Sequence, residues 1–263
     1  MVASLASLKF WDTFSVGGST ARLATQISID EAIFMSNLLC DFSANLHAHS
    51  GGADDAFILS DLRVGEIVTL CGEGAQLLAF FLAVQHLLRC KSPVVFIDGG
   101  NSFSPYLIAE LVRRRNFDPR EALKRIYVSR AFTSHQLFAL ATERLKPLVE
   151  KLESKLVIVS DIASLFFHRD VHDSEAKAIF LRLCMKLSEI AERKQVMVLI
   201  TYVPKNSRRR LYFEAALFGR SDIIIETSAR GGALHFALRH HPHVWHFSAA
   251  ALPRASLMDY LEA

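Results

Sequence analysis

Residues Ile67 to Leu88 read IVTLCGEGAQLLAFFLAVQHLL, and the order of chemistry within them decides the fold. An apolar run comes first, then a short turn with Gly72 and Gly74, then a second and longer apolar run. That is a buried strand, a tight turn and a buried helix. It is the order in which an α/β protein builds a phosphate cradle at a helix N-terminus. A working cradle follows G-x-x-x-x-G-K-[ST]. With Gly74 as the second glycine, Ala75 stands where the lysine belongs and Gln76 where the hydroxyl belongs. Counting back from Gly74, Thr69 replaces the first glycine; counting from Gly72 instead, the loop is too short. The scaffold of a nucleotide-binding ATPase is expected here, with its chemistry removed.

Outward from this stretch, strands and helices alternate. Val94 to Ile97 is a second buried strand, closing on Asp98, Gly99, Gly100 and Asn101. Ser104-Pro105 opens a helix to about Arg115, because proline fits a first helical turn, and Asp118-Pro119 opens a shorter one through Lys124. Further strands are predicted over Ile126 to Val128, Leu156 to Val159 and Val196 to Thr201. Helices are predicted over Ser134 to Leu152, with Pro147 a kink or break, and over Ser174 to Arg193. Alternation at this spacing predicts a mostly parallel twisted sheet with helices on both faces. After Pro204 the pattern changes to short strands over Asp222 to Thr227, Ala233 to Leu238 and His243 to Phe247, an antiparallel extension. Residues 1–55 form a lead-in segment and 56–263 the core domain. Within the lead-in, Ile29 to Phe42 has helical spacing behind a Ser28/Glu31 capping box.

A chain of 263 residues with 51% hydrophobic content and mean hydropathy +0.24 can bury one large core. Its apolar runs are too short to span a bilayer and Met1 to Trp11 lacks a secretory pattern, so an intracellular protein is expected. Cys40, Cys71, Cys90 and Cys184 have no zinc or redox spacing and read as buried thiols. His235, His240, His241, His243 and His246 lack companion ligands and read as satisfied or exposed side chains. The net charge of +3 is too small to announce nucleic-acid binding. Arg113, Arg114 and Arg115 read as a solvated helix end.

The stretch from Phe96 to Leu145 reads FIDGGNSFSPYLIAELVRRRNFDPREALKRIYVSRAFTSHQLFALATERL. It resembles the core of the archaeal RadA recombinases and their eukaryotic relatives in the RecA superfamily. Those carry a strand ending I-D-T-E-x-T-F-R-P and, beyond a helix, a D-P-x-x-A-L-x-x-I-Y-x-x-R-A-F block. The likeness runs on through KLVIVSDIAS and covers roughly residues 60 to 245. It implies a RecA-like core. It also implies that the phosphate-loop lysine falls on Ala75, the magnesium-binding hydroxyl on Gln76, the water-polarising glutamate on Gly100 and the second-motif acid on Ser160, with Asp161 next. Removing one transition-state-stabilising group typically costs a factor of ~10² or more. The expectation is therefore a pseudo-ATPase with no catalytic residues and no required cofactor, whose Gly72, Glu73 and Gly74 leave room for weak ATP binding.

The resemblance further implies two DNA-facing loops after the fourth and fifth strands. Here these are Phe166 to Glu175, which holds Arg169, and Pro204 to Arg210, which holds Lys205, Arg208, Arg209 and Arg210. Such a density of cations suits a phosphate backbone; a solvated loop or a protein-binding patch is the alternative. Phe10 to Gly17 either packs in the core or adds to a neighbour's sheet, as a Phe-bearing segment does in the family. The expected function is that of a recombinase paralogue without ATPase activity. It would assist homologous recombination and DNA repair through a RecA-family recombinase or another paralogue, and through single- or double-stranded DNA, with self-association left open. Two other readings stand beside it: a nucleotide-binding switch or residual ATPase with a rearranged site, and a protein-only assembly scaffold. No membrane role is expected, and the compartment is the cytoplasm, or the nucleus in a eukaryote.

Overall fold

The computed structural model describes residues 62–90, 92–168, 171–230 and 233–240, with side chains described outside 229–230 and 233–237. The lead-in segment, the Ile29 to Phe42 helix, Phe10 to Gly17, Arg169 and the strand expected over His243 to Phe247 lie outside the described residues. Seven strands form one sheet: β1 (Ile67–Gly72), β2 (Val94–Asp98), β3 (Ile126–Arg130), β4 (Leu156–Ser160), β5 (Met197–Tyr202), β6 (Ile223–Arg230) and β7 (Ala233–His240). Their order is β3-β2-β4-β5-β1-β6-β7. Every pairing is parallel except β6 with β7, which is antiparallel. The mostly parallel sheet and its antiparallel extension are those expected.

The strands are apolar on both faces because both faces are covered. Val68, Leu70, Phe96, Ile158 and Leu199 face one layer, made by α1 (Ala75–Arg89), α2 (Pro105–Arg114) and α3 (Pro119–Leu123). Ile67, Val95, Val157, Val198 and Ile200 face the other. That layer is made by α4 (Ser134–Ala139), α5 (Leu145–Leu152), α6 (Asp173–Lys194) and α7 (Arg210–Phe218). Helix α1 is apolar nearly all round and buries ten of its residues, including Phe80 and Phe81. Ser104 caps α2 by accepting from the Leu107 amide at 3.3 Å, and Asp118 caps α3 by accepting from Arg120 at 2.9 Å. Proline follows each cap, so neither helix loses a bond to it.

Three local expectations change. The irregularity assigned to Pro147 lies upstream, as a π-helical turn over Leu140–Arg144. Pro147 offers no N–H to the Glu143 carbonyl and its ring crowds that group, so the wider turn before it takes up the misfit. Helix α7 stands where no element was expected. Its Phe213, Ala216 and Leu217 have helical spacing and are buried, but no side-chain cap marks its start and an arginine run obscures it. Cys71 and Cys184 are buried, whereas Cys90 is exposed because it ends α1 where the chain turns outward. Among the described residues no helix is long and apolar enough to cross a membrane.

Candidate functional site

β1 runs at its carboxyl end into the Gly72–Gly74 turn, between β5 and β6. Gly72 has φ +116° and Gly74 has φ +83°, both in the left-handed region that favours glycine. At Gly72 there is a second constraint: a Cβ would stand 2.2 Å from the Thr227 carbonyl oxygen on β6. The Thr227 hydroxyl donates to the Cys71 carbonyl at 3.3 Å and closes the turn further against β6. Ala75 starts α1 fully buried, and Glu73 is exposed. The first turn of α1 therefore brings no cation or hydroxyl to the place where phosphate charge would sit.

Gln76 turns instead to the sheet. Its Oε1 accepts from the Thr201 hydroxyl at 3.1 Å, and that hydroxyl accepts from the Asp161 amide at 2.8 Å. One polar chain thus ties α1, the end of β5 and the residue after β4. Two buried atoms in it, Gln76 Nε2 and Asp161 Oδ1, have no hydrogen-bond partner. Burial holds the Asp161 carboxyl above its ordinary range, opposed by Lys205 and the Val203 amide and reinforced by the Asp98 carboxylate. Asp161 also explains its neighbour. A Cβ on Gly100 would come 2.7 Å from the Asp161 Cβ and 3.2 Å from its Oδ2. Asp161 and a side chain at position 100 exclude one another in this geometry.

Ser160 is fully buried, and its hydroxyl donates to Asp98 Oδ1 at 2.9 Å. Asp98, also fully buried, accepts from the Ser102 and Phe103 amides at 2.9 and 3.2 Å and from Arg130 Nε at 3.1 Å. The carboxylate binds together the ends of β2, β3 and β4, and its charge is paired. Asp98, Arg130 and Thr201 were not singled out from the sequence. The available signal was a lone polar residue closing an apolar run, VVFI before Asp98 and MVLI before Thr201.

The basic loop divides its cations. The Arg209 side chain is only 12% exposed. It donates to the carbonyls of Phe166, His168 and Val171 at 2.7, 3.2 and 2.8 Å, and to the Asp173 carboxylate at 2.5 Å. It is a clasp between the segment after β4 and the segment after β5. Arg210 is the first residue of α7 and donates to Glu214 at 2.7 Å. Of the four cations expected to face a phosphate backbone, Arg209 is thus committed within the fold, and Arg210 is engaged by Glu214 at the surface. Lys205 is exposed, with Nζ 5.7 Å from the centre of the Phe167 ring, and Arg208 is exposed. Of the five histidines considered, only His240 has a described side chain, which is exposed on β7.

The family model named Rad51 matches residues 74–208. The match starts inside the glycine turn and ends inside the basic loop, taking in β2 to β5 and every side chain of the polar chain just described. It spans just over half of the 263 residues. On that match and on this mostly parallel sheet with its antiparallel edge, the chain belongs to the Rad51 family and has a RecA-like core.

Proposed function

We propose that this protein acts in homologous recombination and DNA repair as a Rad51-family member that does not hydrolyse ATP. It would work through contacts with a RecA-family recombinase or a second paralogue, in whichever compartment holds the DNA. One observation carries the reading: Asp161 occupies the space that a side chain at position 100 would need. The resemblance puts the family's water-polarising glutamate on Gly100, where a side chain would meet Asp161. The turn supports the same reading, since magnesium-bound triphosphate requires cations and a hydroxyl, and Ala75 and Gln76 supply neither. Contact with a partner has support in the sheet edge. β3 is one of the two edge strands among the described residues, and Phe132 beyond it is 60% exposed; a partner's strand would extend the sheet there. Lys205 and Arg208 remain for DNA.

The test is phosphate release from ATP by the purified protein, with and without single-stranded DNA. No release above background is expected, and release at recombinase-like rates overturns the proposal. The unpartnered Gln76 Nε2 and Asp161 Oδ1 favour a second reading, a switch that binds nucleotide without cleaving it. Calorimetric titration decides it. Affinity that disappears in Gly74→Ala supports the switch, and no heat at millimolar ATP ends it. The protein-only scaffold is supported if replacing Lys205 and Arg208 by alanine leaves repair in cells unchanged, and opposed by a clear loss.

A further inference from the structure

Helices α1, α2 and α3 all end at the amino ends of β2 and β3, opposite the glycine turn and the basic loop. Cations are expected at helix carboxyl ends, but here that requirement is already met. The Arg125 guanidinium donates to the carbonyls of Leu87 and Ser92 at 2.8 and 3.3 Å, and to that of Cys90. It therefore caps α1. Residues 105–125 hold six cations and three carboxylates, an excess equal to the net +3 of the entire chain. The three carboxylates are all engaged. Glu110 pairs with Arg113 and Arg114, Glu121 pairs with Lys124, and Asp118 caps α3.

Arg89, Arg115 and Arg120 remain with no carboxylate partner among the described residues. Arg115 lies over the Phe81 ring, 5.3 Å from its centre. Burial there, and to a lesser degree the charge of Arg89, lowers its pKa. An anion on this face would supply the counter-charge that these guanidiniums lack among the described residues. Between α2 and α3, Asn116 takes φ 59° and the Phe117 amide donates to Val112 at 3.2 Å. The turn leaves the Phe117 ring 54% exposed, between Arg115 and Arg120 in the chain.

We propose that this face binds the phosphate backbone of single-stranded nucleic acid, with Arg89, Arg115 and Arg120 on phosphates and Phe117 stacking on a base. An exposed ring flanked by cations is the pairing that single-strand sites use, because every base offers a π-face once it is unstacked. A duplex offers Phe117 no such face. The surface is separate from the loops after β4 and β5, and it does not depend on the fate of ATP.

The test is fluorescence anisotropy of a labelled oligothymidylate over a salt series. Arg89→Glu/Arg120→Glu changes two exposed side chains, and its melting temperature reports that it is folded. It should weaken binding by tenfold or more and reduce the salt slope by about 1.4, at about 0.7 per single-strand contact. Phe117→Ala should weaken binding about fivefold or more with the slope unchanged. Lys205→Ala/Arg208→Ala should leave a salt-dependent component in place. Unchanged affinity and slope in the folded double reversal overturn the proposal. So does competition by polyglutamate or anionic vesicles as effective as that of the oligonucleotide. Phosphate release from ATP bears only on the proposed function, so the two can fail separately.

Discussion

The Gly72–Gln76 turn and the Lys205–Arg210 loop stand at the same end of the sheet, and they lose their expected chemistry by different routes. At the turn the residues themselves have changed: Ala75 is buried and Gln76 is bonded to Thr201. In the loop the cations are present, but Arg209 turns inward to Phe166, Val171 and Asp173, and Arg210, still exposed, is paired with Glu214 on its own helix. The first loss is written in residue types. The second comes from folding alone, and a count of charges would miss it. Density of charge in a sequence is thus an upper bound on charge available to a ligand.

The comparison breaks most readily at Gly72. With the Thr227 carbonyl in the way and a positive φ, Gly72→Ala should destabilise by about 4 kcal/mol, the range reserved for backbone strain with a clash. Urea unfolding measures it, and a loss under 1 kcal/mol would mean that the turn is free to move. Next is the clasp. Arg209→Ala leaves three carbonyls without their donor and should cost about 3 kcal/mol, at about 1 kcal/mol per bond. Hydrogen exchange should rise across 166–172. If Arg209 faced DNA, the change would leave stability alone and lower only affinity.

The exclusion between positions 100 and 161 gives a smaller but more specific effect. Gly100→Ala should destabilise, and Asp161→Gly should relieve it by removing the opposed Cβ. A double-mutant cycle should show a coupling of about 1–2 kcal/mol; additive effects would refute the steric account. The smallest effect is electrostatic. The Asp161 carboxyl titrates above 3.8 in the folded protein, so the native state holds that proton more tightly than the unfolded chain does. The resulting cost is absent below the unfolded pKa, grows as pH rises to the folded value, and persists above it. Asp161→Asn should therefore raise the melting temperature at pH 7 and leave it unchanged near pH 3. A gain of the same size at both pH values would assign it to packing.

Much of this was legible before any coordinates. The strand from Ile67, the helix over Ala75–Arg89, and the starts at Pro105 and Pro119 follow from apolar runs, glycines and proline-bearing caps. These are local signals that act within a few residues. The glycine turn followed by Ala75 and Gln76 was equally plain. Helix α7 was not, since its apolar spacing over Phe213, Ala216 and Leu217 sits behind an arginine run with no capping side chain. Nor was the role of Asp98, because a carboxylate closing an apolar strand reads the same whether it serves a ligand or holds three strands together.

Alone, then, the sequence determined the alternation of elements, the two-sided burial of the sheet, the family, and that Ala75 and Gln76 follow the glycine turn. Each is carried by residue type and short-range period. Only the tertiary structure decided that Asp161 fills the space beside Gly100, that Arg209 joins two segments 36 to 43 residues apart, and that Arg115 lies over the Phe81 ring with no carboxylate partner among the described residues. A charged side chain takes its role from the partners that folding brings to it, and those partners come from distant parts of the chain.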